Sequence, residues 1–148
     1  MTHVIIQSLS CQTTYEVRHP ILREGKPLRS CRFENDDHPK SIHLCAKKED
    51  VIIGVISALP NDCPVFPLKK SYQLRGIAVN YEYQRKGIGS LLVEKIEQQI
   101  RLNKSIEYIW LNGRLNTKNF YLNLGYNSVG KVFNIKDIGM HQRYIKNN

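Results

Sequence analysis

No stretch of this chain approaches the roughly 20 consecutive apolar residues needed to span a bilayer, so no transmembrane helix is expected. Cysteine is sparse: Cys11, Cys31, Cys45 and Cys63 form no Cys-x-x-Cys pair. A zinc site built from them with His19, His38 or His43 would need closer ligand pairs, so no metal is expected. The N-terminus carries no signal-like run, and the cysteines are expected as reduced thiols in a cytoplasmic protein. Acidic residues are the minority, 13 against 22 lysines and arginines, for a formal net charge of +9. That excess favours anionic ligands or plain solubility and says nothing about fold. A nucleic-acid module would gather its basic and aromatic residues on one face, whereas here the charges run through every segment, which disfavours nucleic acid as a partner. No linker-like composition divides the chain, and its 148 residues suit a single domain over 1–148 with one substantial core.

Two phosphate-binding patterns are also missing. Nothing supplies the Walker arrangement of Gly, four residues, then Gly-Lys-Ser/Thr. The dinucleotide fingerprint lacks its third glycine, where Leu92 stands, although Glu107 lies about 20 residues on, where a ribose-binding acid would fall. What is present is the run Gln84-Arg85-Lys86-Gly87-Ile88-Gly89-Ser90. It follows a strand-like segment, Leu74 to Val79, and precedes Ile88, Leu91, Leu92, Ile96 and Ile100, whose three- and four-residue spacing predicts a helix that buries one face. The first N–H groups of a helix have no internal partners and sit at the positive end of its dipole. Gly87 and Gly89 let a phosphate approach that backbone, and Arg85 and Lys86 add positive charge.

The remaining pattern gives an order of elements. Strands are expected at 3–8, 41–48, 51–59, 74–79, 105–111, 127–133 and 140–145. Helices are expected from Gln12 to about Arg23, interrupted or ended by Pro20, then from about Lys86 to Leu102, and over 116–124, stopped by Gly125. Glu49-Asp50 reads as a hairpin turn, Gly54 as a bulge, and 61–70, with Pro64 and Pro67, as a loop. Ile106, Tyr108 and Trp110 alternate onto one side of their strand. Strand–helix–strand order around the glycine turn implies a parallel pair.

Gln84-x-x-Gly87-x-Gly89, with Leu74-Arg75-Gly76-Ile77-Ala78-Val79 before it and Ser90-Leu91-Leu92 after it, resembles the acetyl-CoA signature of the GNAT superfamily of N-acetyltransferases. Asn112-Gly113-Arg114 and Phe120-Tyr121-Leu122-Asn123-Leu124-Gly125-Tyr126 resemble the family's second motif, with Thr117 and Tyr126 where alanine and phenylalanine are usual. Arg18 to Arg23 resembles the first helix of one bacterial branch, and Ile138-Gly139-Met140-His141 its closing strand. The resemblance is dense from 71 to 126.

This resemblance implies an α+β fold: a mixed, mainly antiparallel twisted sheet with a central parallel strand pair and flanking helices. It implies an acetyl-CoA-dependent N-acetyltransferase acting on a small-molecule or peptide amine, by direct attack with both substrates bound. The donor-binding residues would be Ile77, Ala78, Val79, Gln84, Arg85, Lys86, Gly87, Ile88, Gly89 and Ser90. Main-chain groups near Ile77 and Val79 would meet the pantetheine arm. A family asparagine for that arm falls at Arg114, and Asn112 stands in for it. Tyr121 would donate a proton to the leaving thiolate, since a phenol keeps its proton at neutral pH. For the base, Glu82, the acidic group Glu34, Asp36 and Asp37, and His141 stay open, with His141 preferred because imidazole titrates near neutrality. The rival reading is a non-catalytic acyl-CoA-binding or nucleic-acid-binding domain of the same fold. The acceptor and the oligomeric state, a homodimer included, stay open.

Overall fold

A computed structural model describes residues 3–148. Its elements in chain order are β1 (Val4–Ser8), α1 (Cys11–Leu22), β2 (Ile42–Lys48), β3 (Val51–Pro60), β4 (Ser71–Val79), α2 (Ile88–Ile100), β5 (Tyr108–Arg114), α3 (Lys118–Asn123), β6 (Asn127–Ile135) and β7 (Gly139–Asn147). The strands form one seven-stranded sheet in the order β1-β2-β3-β4-β5-β7-β6. Every neighbouring pair is antiparallel except β4 and β5, which the α2 crossover forces to run parallel. The fold is the expected α+β arrangement.

Both faces of the sheet centre are covered, which is why β3 reads as a nearly continuous apolar run rather than an alternating one. On one face α2 buries Ile88, Leu92, Val93, Ile96 and Ile100 against Leu44, Ile53, Ile56, Leu74, Ile109 and Leu111. On the other, Val17 of α1 packs with Cys45, Val55 and Ala78. The β2–β3 hairpin turns at Glu49 and Asp50, both at positive φ (50° and 68°), as a tight two-residue turn matched to strand twist requires. The register shifts beside Gly54, where a Cβ would stand 3.2 Å from Leu92 Cδ1.

Several boundaries differ from expectation: β4 begins earlier, at Ser71, β6 and β7 run longer, to Ile135 and Asn147, and four further differences have a visible cause. Pro20 does not stop α1, which continues to Leu22; the proline sits in the last turn, where Arg23 N–H still reaches His19 O at 3.0 Å. Helix α2 starts at Ile88 rather than Lys86, because Arg85 and Gly87 take positive φ (61° and 83°). Strand β5 starts at Tyr108, since Asn103 Oδ1 accepts hydrogen bonds from Ser105 N–H and Oγ and holds a turn there. Ile106 accordingly faces the α2 core, whereas Tyr108 and Trp110 pack with Cys63 and Ile145 on the opposite side. Helix α3 is shorter than expected, opening with a 3-10 turn over Leu115–Thr117 and ending where Gly125 adopts φ +93°.

Behind α1 lies a buried polar knot. Arg18 donates to both oxygens of Asp36 at 2.7 and 3.1 Å, to Cys31 O at 2.8 Å and to Ser57 Oγ at 2.8 Å. Asp36 also accepts from Phe33 N–H. The knot pins the 23–41 loop against β3 and β4.

Candidate active site

Strands β4 and β5 are in register over only three pairs, Ser71 with Tyr108, Tyr72 with Ile109 and Gln73 with Trp110. Beyond Gln73 they part. On its other edge β4 bulges against β3: Arg75 pairs with Ser57 and Ala78 with Val55, leaving Gly76 and Ile77 without a register partner on either side. Past Gln73 the β5-facing edge of β4 is left uncovered by a neighbouring strand, and such an edge suits a ligand whose own polar groups run along it. Gly76 has φ +66°, and a Cβ on it would lie 2.9 Å from both Arg18 Nε and Phe33 Cε2, so only glycine fits.

A cleft of about 440 Å³ opens at this divergence, a volume suited to a small ligand. Gly76, Ile77, Asn112, Tyr121 and His141 line it. Tyr121 projects from α3, its ring edge-on to Phe120 at 5.0 Å and tilted against Tyr144 at 5.4 Å. Burial pushes its phenol well above the ordinary tyrosine range, with Tyr144 adding to the shift, so the hydroxyl keeps its proton. Gly113 makes room for this ring: a Cβ there would stand 2.9 Å from Tyr121 Cε2 and 3.1 Å from Tyr144 Cε2. His141, on β7, is 5 % exposed and hydrogen-bonds Gly139 O through Nδ1 at 2.7 Å. A carbonyl only accepts, so Nδ1 carries the proton and Nε2 holds the lone pair of the neutral ring.

The Gln84–Ser90 turn lies outside this cleft, at the N-terminus of α2. Gln84 to Gly87 are exposed, and no side chain caps the helix, so the first N–H groups face outward from a turn bearing Arg85 and Lys86. Gln84 Nε2 donates to Val79 O at 2.8 Å and ties the turn to the end of β4. Ala78 is buried under α1, and Ile77 and Val79 pack against the α2 core. Asn112 Oδ1 accepts from Arg143 Nε at 3.2 Å, and Arg114 Nη2 donates to Leu22 O at 3.2 Å.

None of the acidic candidates lines the cleft. Asp36 is consumed by Arg18, and Asp37 pairs with Arg32 at 3.0 Å on the surface. What the sequence did not indicate is the company His141 keeps. Arg23, Arg75, Arg114 and Arg143 converge on the same cleft from the end of α1, from β4, from β5 and from β7. Arg23, Arg75 and Arg114 each sat in a different motif segment and Arg143 in none, so no single segment showed the cluster.

The model of the acetyltransferase (GNAT) family matches residues 5–126. An uncharacterized N-acetyltransferase, YitI of Bacillus subtilis, is 30% identical over 136 residues, covering 92% of this chain and 91% of its own. The L-ornithine N5-acetyltransferase NATA1 of Arabidopsis thaliana is also 30% identical, over 76% of this chain but half of its own length. Among solved structures, an aminoglycoside 6'-N-acetyltransferase complexed with coenzyme A superposes with a TM-score of 0.75 at 17% identity, covering 97% of this chain and 96% of its own. This chain therefore belongs to the GNAT family, as an N-acetyltransferase that takes its acyl group from acetyl-CoA.

Proposed function

We propose that the chain moves an acetyl group to a primary amine by direct attack within a ternary complex, with Tyr121 as acid and His141 as base. The observation that carries this reading is that both side chains line the one cleft where β4 and β5 part. Acetyl-CoA supplies the thioester carbonyl. The helix α2 turn, with Arg85, Lys86 and the free N–H groups of its first residues, holds the diphosphate, and the β4 edge at Gly76 and Ile77, beyond the last β5 register pair, receives the pantetheine arm. His141 Nε2 takes the proton of the incoming ammonium, directly or through water. As the C–N bond forms and the C–S bond breaks, the Tyr121 hydroxyl gives its proton to the departing sulfur, and the proton then in excess on the acylated nitrogen returns to the Tyr121 phenolate, directly or through water. With no carboxylate on the cleft wall, His141, whose Nε2 lone pair is free of the Gly139 contact, is the side chain there that can accept a proton. The four cysteines are free and buried, which suits a reducing compartment, the cytoplasm.

The acceptors for which the relatives are named, an aminoglycoside and L-ornithine, differ in charge and size and do not transfer directly. Calorimetry with acetyl-CoA, followed by a thiol-release assay over amine classes, tests the reading. Saturable acetyl-CoA binding and acetyl transfer to at least one amine are expected. No acetyl-CoA binding would end it.

A further inference from the structure

The cleft wall carries four arginines and one histidine, and no aspartate or glutamate. Ion pairs among the described residues engage Arg18, Arg32, Lys69 and Lys146, so none of the cleft arginines has a carboxylate of its own. Arg75 is half-buried and stacks its guanidinium on the Phe33 ring, 4.0 Å from the centroid, while Arg18 lies against the same ring at 4.1 Å. Stacking of this kind fixes the plane of a guanidinium and leaves its N–H edge for a partner. Arg23 and Arg114 are held by backbone carbonyls, Arg23 by Ser30 O and Leu22 O, Arg114 by Leu22 O as well. Arg143 is held by Asn112 and lies over Trp110 at 5.4 Å. These contacts position the charges without neutralising them. Burial first, and then the neighbouring arginines, lower the proton affinity of Arg23 and Arg75, a shift that Asp36 and Glu34 oppose only in part at Arg75.

The diphosphate of the donor does not account for this cluster. Its turn belongs to α2, and none of residues 84–90 lines the cleft. From this geometry we infer that the acceptor is an amine that also carries a carboxylate, bound edge-on by Arg75 with Arg23 and Arg114 beside it. The inference rests on the acetyltransferase reading above and narrows its acceptor to amino-acid-like amines. Polycationic acceptors, aminoglycosides and polyamines, are repelled by the same wall. The positive field has a second use: it disfavours the ammonium form of the bound amine, the form that cannot attack.

The test compares amines that differ only in the carboxylate, L-ornithine against putrescine, L-lysine against cadaverine and L-tyrosine against tyramine, together with an aminoglycoside. Acetyl transfer is followed by thiol release. At least one carboxylated member should exceed its counterpart in kcat/KM by about 10-fold or more, the worth of a charge-assisted bidentate contact. In Arg75→Gln the KM for that amine should rise by a similar factor while calorimetric acetyl-CoA affinity holds, and Arg75→Lys should recover part of the loss. Circular dichroism of each variant separates misfolding from lost recognition. Preference for the decarboxylated amines or the aminoglycoside, a ratio that survives in both Arg75→Gln and Arg23→Gln, or no turnover of any amine by a chain that binds acetyl-CoA would overturn the inference. Loss of acetyl-CoA binding in the unmodified chain would instead overturn the acetyltransferase reading beneath it.

Discussion

Arg18 and Asp36 meet through two parallel hydrogen bonds, with 0% and 1% of their side chains exposed. A pair sealed in this way adds little over an apolar substitute, yet removing one partner strands the other as a bare buried charge. Asp36→Ala should therefore cost about 3–5 kcal/mol of unfolding free energy, read by urea denaturation. Phe33, which leans on Arg18 and shapes the cleft, should loosen with it. A loss under 1 kcal/mol would show that solvent reaches Arg18 after all.

Tyr121→Phe keeps the ring that packs against Phe120, Tyr126 and Tyr144 and removes only the hydroxyl. Its kcat should fall by about 100-fold with acetyl-CoA affinity unchanged, measured by thiol release and calorimetry. Activity within about threefold of the parent would remove Tyr121 from the role of acid.

Gly113→Ala tests how that hydroxyl is placed. The added methyl would meet Tyr121 Cε2 at 2.9 Å, and the ring has core residues behind it. Overpacking of this sort costs about 1–3 kcal/mol, and the displaced phenol should lower kcat by more than it raises the KM for acetyl-CoA. Unchanged steady-state kinetics would mean that Tyr121 need not be held where it is.

Alkaline pH should unfold the chain. Burial raises the phenols of Tyr121 and Tyr126 above their unfolded value near 10, and Glu97 raises Tyr126 further by accepting its hydrogen bond at 2.7 Å. Above pH 10 the unfolded chain releases protons that the folded chain retains. Stability is thus full below that pH and falls as pH climbs past it, by about 1.4 kcal/mol per pH unit for each such phenol. Thermal melts from pH 7 to 12, with tyrosinate absorbance followed in parallel, check the sign. The tyrosinate absorbance of the buried pair should appear only with the unfolding transition.

Elements whose evidence is local were legible in the sequence. The α2 stripe, the glycine turn and the Glu49-Asp50 hairpin each depend on residues within a few positions of one another, and each stands where its spacing placed it. Boundaries failed where one side chain overrode the pattern, as Asn103 does at the start of β5. The cleft charge was illegible for a different reason. Arg23, Arg75, Arg114 and Arg143 lie far apart in the chain, so a reading by segment finds basic residues everywhere and no cluster. Only the sheet order, which sets β7 beside β5 and folds the end of α1 over β4, makes them neighbours. Likewise nothing in the spacing marks Asp36 as the partner of Arg18, 18 residues away, and it read equally well as part of a solvated acidic patch.

The short β4–β5 ladder is also the weakest seam in the sheet. Strands β1 to β4 form one antiparallel slab and β5 to β7 another, and three register pairs stitch them directly. Helix α2 braces the join from one side, reaching the second slab through Glu97, which holds Tyr126 and Lys146. A molecule lodged in the gap completes the stitching that the strands leave undone. With the pantetheine arm seated there, as proposed above, the donor would be a structural rivet as well as a reactant, and the chain would be stiffest when ready to react and most pliant once the product had gone.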